Sequence, residues 1–315
     1  MGMAPETDDL RAALILTESR PCPICGSVDD TRVYAERSID PSKLDGFAFA
    51  SRKMPEYMHH RLVLCPDCAL VYASPIPRQG ALGKAYEEAD FDSGVESRFA
   101  ARTAAAYLRR FVDRLPDLDG ALDIGAGDGA FLDELLDMGW ANVIGVEPST
   151  APIESASTRV RPFLRQALFS AEDYRVSAYS LVTCFQVIEH VPDPLDLVRG
   201  AMSLLKPGGA FLMISHDREA LSARILGTRS PIFDLEHLQL FSTTSAHRLF
   251  ADAGLVDIQG FDVVNRYPLH YYLKLLPIPN ALKLRLLASA RRSTIGGMAI
   301  PAPLGNLGVI GYKPR

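Results

Sequence analysis

The sequence predicts a doubly wound parallel α/β sheet preceded by a small cysteine-bearing module. Three observations lead there. The stretch Ala121–Ala130 runs from an apolar strand into three glycines and then into helical periodicity. Beyond it, short apolar runs alternate with helical stretches, the pattern of βαβ units. Ahead of it stand two Cys-x-x-Cys pairs, Cys22/Cys25 and Cys65/Cys68.

The chain has 315 residues, enough for one large domain and a small one, with a division expected near residue 78. The expectation is therefore a module over 1–78 and a catalytic domain over 79–315. A hydrophobic content of 48% and a mean hydropathy of +0.05 describe a soluble globular protein. The net charge of −5 argues against a general nucleic-acid binder. No apolar run approaches the length of a membrane span. The acidic start, Met1–Asp9, is unlike a secretory leader, so a cytoplasmic location is expected.

In the front module, a short amphipathic segment around Leu10–Leu16 precedes Pro21-Cys22-Pro23-Ile24-Cys25-Gly26. Its partner is Leu64-Cys65-Pro66-Asp67-Cys68-Ala69. Each reads as a knuckle, a tight turn whose amides point at thiolate sulfur. Two knuckles make a closed tetrahedral four-sulfur site suited to structural Zn²⁺, with no open position for catalysis. The spacer is longer than usual, and Ala69 replaces the glycine common after such a pair. His59 and His60 are expected on the solvated surface. Ser74–Pro77 reads as a stiff linker out of the module.

Residues 80–115 read as helices, with Ala100–Phe111 presenting Tyr107, Leu108 and Phe111 to a core. Then come strand 121–125, helix 129–138 and strand 142–147, which ends at Glu147. An acid at that strand end can accept both ribose hydroxyls of an adenosine. Ser149 or Thr150 can cap a helix running to about Arg159. A weaker strand lies near Phe163–Leu164. The buried run from Ser180 leads through Gln186 to Glu189-His190 and two prolines. Helix 195–205, strand 210–215 ending at His216, a loop with Glu236-His237, helix 243–255 and strands 256–264 and 307–313 complete the pattern. The segment 268–292 is an insertion rich in leucine and tyrosine that carries Lys274, Lys283, Arg285, Arg291 and Arg292. Such a segment caps an active site, joins a dimer, or touches a membrane surface or lipid-linked substrate.

The turn itself admits two readings. Gly125, Gly127 and Ala130 satisfy the relaxed dinucleotide fingerprint. Asp123, Gly125, Gly127 and Gly129 also satisfy Asp/Glu-x-Gly-x-Gly-x-Gly. A dinucleotide brings a pyrophosphate, which Asp123, Asp128 and Glu147 would repel. S-adenosylmethionine (SAM) brings a sulfonium cation, beside which acids are welcome.

The pieces Asp-Ile-Gly-Ala-Gly-Asp-Gly, Val-Ile-Gly-Val-Glu-Pro-Ser, Val-Ile-Glu-His-Val-Pro-Asp-Pro and Leu-Lys-Pro-Gly-Gly together resemble the class I SAM-dependent methyltransferases. The resemblance covers the chain from about residue 80 onward. It implies a Rossmann-like seven-stranded sheet with SAM held by Gly125, Ala126, Gly127 and Gly129, the ribose on Glu147, the amino-acid tail near Asp123, and Gln186 beside the methyl group. The double knuckle is similar to bacterial methyltransferases with a zinc-binding front module, including deoxysugar C-methyltransferases. That implies a small-molecule acceptor, a sugar or another natural-product intermediate, and a Glu236-His237 pair at the acceptor. His237, His216 and His190 compete as the base. A scaffold protein with a vestigial SAM site and a nicotinamide oxidoreductase are the rival readings.

Overall fold

The computed structural model describes residues 17–28, 31–40, 57–77, 94–276, 278–291, 293 and 296–315. The segment Leu10–Leu16 and the start of the helical stretch expected from residue 80 lie outside the described residues.

The front module is built from short strands: β1 (Thr17–Glu18), β2 (Arg32–Ala35), β3 (Leu62–Leu64), β4 (Val71–Ala73) and β5 (Ile76–Pro77). β2, β3 and β4 form an antiparallel ladder, and β1 pairs with β5. The expected linker is thus itself a strand, with Ile76 buried. His59 and His60 are also buried, against the solvated reading. His59 Nδ1 meets the His60 carbonyl oxygen at 2.8 Å and its ring lies edge-on to Phe233. Burial pushes the His60 imidazole down to about 4.

Helix α1 (Glu96–Leu108) follows, then β6 (Asp119–Ile124), α2 (Ala130–Asp137), β7 (Ala141–Glu147), α3 (Thr150–Ser155), β8 (Leu164–Gln166) and β9 (Tyr179–Phe185). α1 buries Ala101, Ala104, Ala105 and Leu108, one stripe at helical spacing. α3 is shorter than the sequence suggests. The Ser155 hydroxyl donates back to the Ala151 carbonyl, and Ala156 leaves the helix in extended conformation. The chain continues through α4 (Pro194–Leu204), β10 (Leu205–His216), α5 (Leu221–Leu226), β11 (Gln239–Leu240), α6 (Thr243–Asp252), β12 (Val256–Pro268), α7 (Leu269–Leu275), α8 (Asn280–Arg291) and β13 (Ala299–Tyr312). Asp193 caps α4 by accepting from the Asp196 amide at 3.0 Å, with Pro194 at the first helical position.

The seven-stranded sheet has the order β12-β13-β10-β9-β6-β7-β8. β6 to β10 run parallel, and β13 is antiparallel to both its neighbours. The strand order reverses beside β6, so a crevice opens at the carboxyl ends of β6 and β9. Alternate residues feed two cores: Val182, Phe211 and Met213 on one face, Leu181, Leu212 and Ile214 on the other. The first core also contains Cys22, Ile24, Cys65, Cys68, Leu70 and Tyr72. The knuckles therefore pack into the main sheet's own interior. β11 in turn pairs with β4, so the ladder of the front module gains an edge strand from far down the chain.

The last two strands run longer than expected. Residues 265–268 of β12 pair with 299–302 of β13 beyond the stretch where β13 meets β10. Pro301 and Pro303 are tolerated there because that half of β13 has β12 as a neighbour on one side only. Between these two strands the chain forms α7 and α8, and α7 reaches the crevice. Lys274 and Lys283, read as part of a basic face, are buried instead, and Lys283 Nζ lies 5.9 Å from the centre of the Tyr57 ring.

Candidate active site

The turn after β6 is shaped by glycine. Gly125, Gly127 and Gly129 take φ of 74°, 55° and 75°. A Cβ on Gly125 would stand 2.2 Å from Val187 Cγ2, so the turn and the loop after β9 touch there. A Cβ on Gly127 would meet nothing within 4 Å, and that side faces the crevice. The Gly125 and Ala126 amides donate to the Val146 carbonyl at 2.8 and 3.0 Å, which pins the turn to β7.

Glu147, at the end of β7, accepts from the Gly127 amide at 2.9 Å and from the Ser149 amide at 2.9 Å, one on each carboxylate oxygen. Burial raises its carboxyl above the usual range, and those two amides oppose the shift. Asp123 is fully enclosed and accepts from Thr183 Oγ1 at 2.6 Å. Burial, with Glu147 nearby, pushes its carboxyl up to about 7. Both effects would be relieved by a cation in the crevice. Gln186, just past the end of β9, takes φ of +54°, a strained conformation for a residue with a side chain. Its amide donates to the Ile214 carbonyl at 2.7 Å.

Gln186 and the three candidate histidines line the same cavity as the glycine turn, and that cavity measures about 1270 Å³. The His190 and His237 ring centres are 4.9 Å apart, and those of His216 and His237 are 5.0 Å apart. His237 Nδ1 faces the Ile232 carbonyl at 2.8 Å, and His190 Nδ1 faces the Glu236 carbonyl at 3.2 Å. A carbonyl only accepts, so both rings carry their proton on Nδ1, and Nε2 keeps its lone pair. His216 Nδ1 lies 3.2 Å from Asn306 Oδ1. Burial, with the other two rings beside it, lowers His237 to about 3. Burial also lowers His190. The His237 ring therefore stays neutral well into acid.

Below the trio lies Glu189, entirely buried, which accepts from the His216 amide at 2.7 Å through Oε1. Burial alone would raise its carboxyl. The three imidazoles and that amide outweigh burial and hold it below the usual range. Glu236 and His237 both line the cavity, because Glu236 sits in a turn rather than on a strand with alternating faces. The far wall comes from the long hairpin and α7, with Asn265, Tyr267, Tyr271, Tyr272 and Leu275. Sequence reading named neither Asn265 nor Tyr267, whereas Tyr271, Tyr272 and Leu275 fall in the segment 268–292, for which a cap over an active site was one expectation. Asn306 and Asn265 have no local signature, since their placement depends on the β12–β13 register. Among the described residues no lysine or arginine lines the cavity, whereas Asp123, Glu147, Asp234 and Glu236 all do.

The four cysteines meet as expected. Their sulfurs all lie within 4.8 Å of one another, with Cys22 and Cys68 at 3.4 Å and Cys25 and Cys65 at 3.5 Å. Around a tetrahedral zinc with bonds of about 2.3 Å, sulfurs stand about 3.8 Å apart, so the spacing fits. A hydrogen bond from Cys68 holds the Cys22 thiol down to about 5, while burial pushes Cys25 up to about 11. Ala69 takes φ of +59°, matching Gly26 at +73° after the first pair. The alanine therefore adopts the glycine conformation, at a cost of about 1–2 kcal/mol. Cys184 is fully buried in β9, and burial raises its thiol well above the usual range, which leaves it inert.

A reversed strand order, a glycine turn at the switch point and an acid at the next strand end define a nucleotide-binding α/β enzyme. A family model described as a methyltransferase domain matches residues 97–259, just over half of the chain. The chain belongs to this family and is a SAM-dependent methyltransferase. It is similar to the ubiquinone biosynthesis O-methyltransferase of Marinobacter nauticus, at 32% identity over 122 residues, covering 36% of this chain and 51% of that one. The enzyme of the same name from Leptothrix cholodnii is 34% identical over 126 residues, covering 37% and 52%. The chain thus spans about half the length of the curated relatives it matches. Among solved structures, the YcgJ protein of Bacillus subtilis aligns with a TM-score of 0.48 at 19% identity, over 68% of this chain and 99% of that one.

Proposed function

We propose that this enzyme methylates a hydroxyl oxygen on an uncharged small molecule with a ring or other apolar body. The observation that carries the reading is the cavity: carboxylates and neutral imidazoles at its centre, tyrosines on its far wall, and no lysine or arginine among its described residues. A volume of about 1270 Å³ exceeds the roughly 300–1,000 Å³ of a single ligand pocket, so cofactor and acceptor fit together. The relatives are named as O-methyltransferases, which favours oxygen as the methylated atom. A nucleotide-linked sugar fits less well, because its diphosphate would meet Asp234 and Glu236.

SAM, when bound, supplies an activated methyl group. Gly125, Ala126, Gly127 and Gly129 hold it through the turn, Glu147 accepts from its ribose, Asp123 compensates its charge, and Gln186 stands at the methyl end. On the acceptor side, the free Nε2 of His237 takes the hydroxyl proton, with His190 and His216 flanking it and Glu236 beside it. A neutral imidazole can accept that proton without first losing one. The buried Glu189 beneath would favour the imidazolium formed. The four cysteines hold a structural Zn²⁺ that fixes the front module. α7 acts as a cap, since Tyr271, Tyr272 and Leu275 face the cavity.

Incubating the purified protein with methyl-labelled SAM and 4-methylcatechol tests this. Mass spectrometry should find the label on oxygen. Label transferred to a ring carbon, or a preference for phosphorylated acceptors, would overturn it.

A further inference from the structure

Arg20 sits two residues before the first knuckle cysteine, and the proposed chemistry does not use it. Its side chain is nonetheless half-buried and fully engaged. Nε donates to the Ala73 carbonyl at 3.0 Å, one terminal nitrogen to the Pro192 carbonyl at 2.5 Å, and the other to the Leu238 carbonyl at 2.9 Å and Gln239 Oε1 at 3.0 Å. One rigid fork therefore binds three separate segments. Ala73 belongs to the module, Pro192 lies two residues past His190, and Leu238 follows His237.

Gln239 extends the clamp. With its Oε1 held by Arg20, its Nε2 donates to the Ile188 carbonyl at 2.6 Å and the Val191 carbonyl at 2.8 Å. The Leu238 amide donates to the Glu189 carbonyl at 2.8 Å. The two histidine-bearing loops are thus sewn together by one arginine and one glutamine. The arginine's own backbone is fixed to the module, where its carbonyl accepts from Ser74 Oγ at 3.3 Å.

We propose that Arg20 is a positioning residue that sets the spacing between His190 and His237 from outside the cavity. The proposal rests on the reading that these histidines face the acceptor. The glycine turn and Glu147 have no bond to this clamp, so the methyl-donor half should not depend on it.

The test uses Arg20→Lys, Arg20→Ala and Gln239→Met in the full chain, with 4-methylcatechol as acceptor. Lysine cannot reproduce the fork, so each variant should lose about 10²-fold in kcat, the scale of a misplaced reacting group. SAM affinity and metal content should stay at normal values. Guanidinium ion at tens of millimolar should restore part of the Arg20→Ala turnover and none of the Gln239→Met turnover. Unchanged kcat, or a loss of SAM binding in parallel with turnover, overturns the proposal. If the unaltered enzyme ignores the catechol, NMR of the histidine rings separates the two ideas. The proposal then requires the Nδ1–H signals of His190 and His237 to shift in Arg20→Lys while His216 keeps its own. Unshifted signals refute it independently of the acceptor.

Discussion

Asp123 makes methyl-donor binding depend on pH in a calculable way. Its carboxyl sits at about 7 because it is buried, with Glu147 nearby. A cationic ligand favours the ionised form, so the ligand must first find, or create, the carboxylate. At pH 6 about a tenth of ligand-free chains carry the charge, and at pH 8 about nine tenths do. SAM should therefore bind about tenfold more tightly at pH 8 than at pH 6, which is about 1.4 kcal/mol. Calorimetry over that range, repeated in buffers of different ionisation heat, should also show a proton released on binding near pH 6. Asp123→Asn removes the titrating group and serves as the control, because it leaves any titration of the ligand itself in place. Its affinity should be weaker overall and should lose the tenfold slope. If wild type and Asp123→Asn show the same pH dependence, the carboxyl is ionised in the free protein and the reasoning fails.

Four further predictions rest on the geometry. Glu147→Ala should weaken SAM binding by about 1.5–3 kcal/mol, the scale of hydrogen bonds to a charged group, and equilibrium binding would show it; unchanged affinity places the ribose elsewhere. The purified protein should contain about one zinc per chain by elemental analysis, and Cys25→Ser should lower its content and melting temperature before its chemistry; a metal-free, fully stable protein would remove the structural role. His237→Ala should lower kcat by roughly 10²–10⁴-fold with SAM affinity kept, and a stable mutant with normal turnover would move the base to His216. The same ring has a lowered folded-state value, so its stability contribution is present above the unfolded value of 6.5 and lost as pH falls toward 3. Between pH 7 and pH 5 it should cost the fold about 2 kcal/mol in chemical denaturation, and His237→Gln should flatten that slope.

The elements legible in the sequence were those specified locally. The strand, glycine turn and helix of 121–137 announce themselves because φ > 0, apolar run and helical period occur within a few residues. The cysteine pairs do so because a knuckle is a local turn. The neutral state of His237 was not legible, since it follows first from the burial of its ring and then from two other imidazoles brought from β10 and from the loop after β9. The same holds for Asn306 beside His216, which the strand register delivers. Lys283 looked like part of a basic face because periodicity shows which residues share a side of a helix, not whether that side meets water or protein. Ala69 is a different case. The missing glycine looked like a weakness in the knuckle, yet the backbone adopts the glycine conformation without it.

The pairing of β4 with β11 sets the order in which the chain can be assembled. Synthesis delivers β2, β3 and β4 early, but the edge beside Val71 and Tyr72 stays open until residues 239–240 have been made. Until then the nascent module presents unpaired backbone groups of the kind that recruit other strands. The knuckle side chains likewise lack the α4–α6 face that covers them in the finished core. A module expressed without the rest of the chain would keep both surfaces exposed. The strands of the front module therefore precede β11 in synthesis, and their ladder is completed only when β11 arrives.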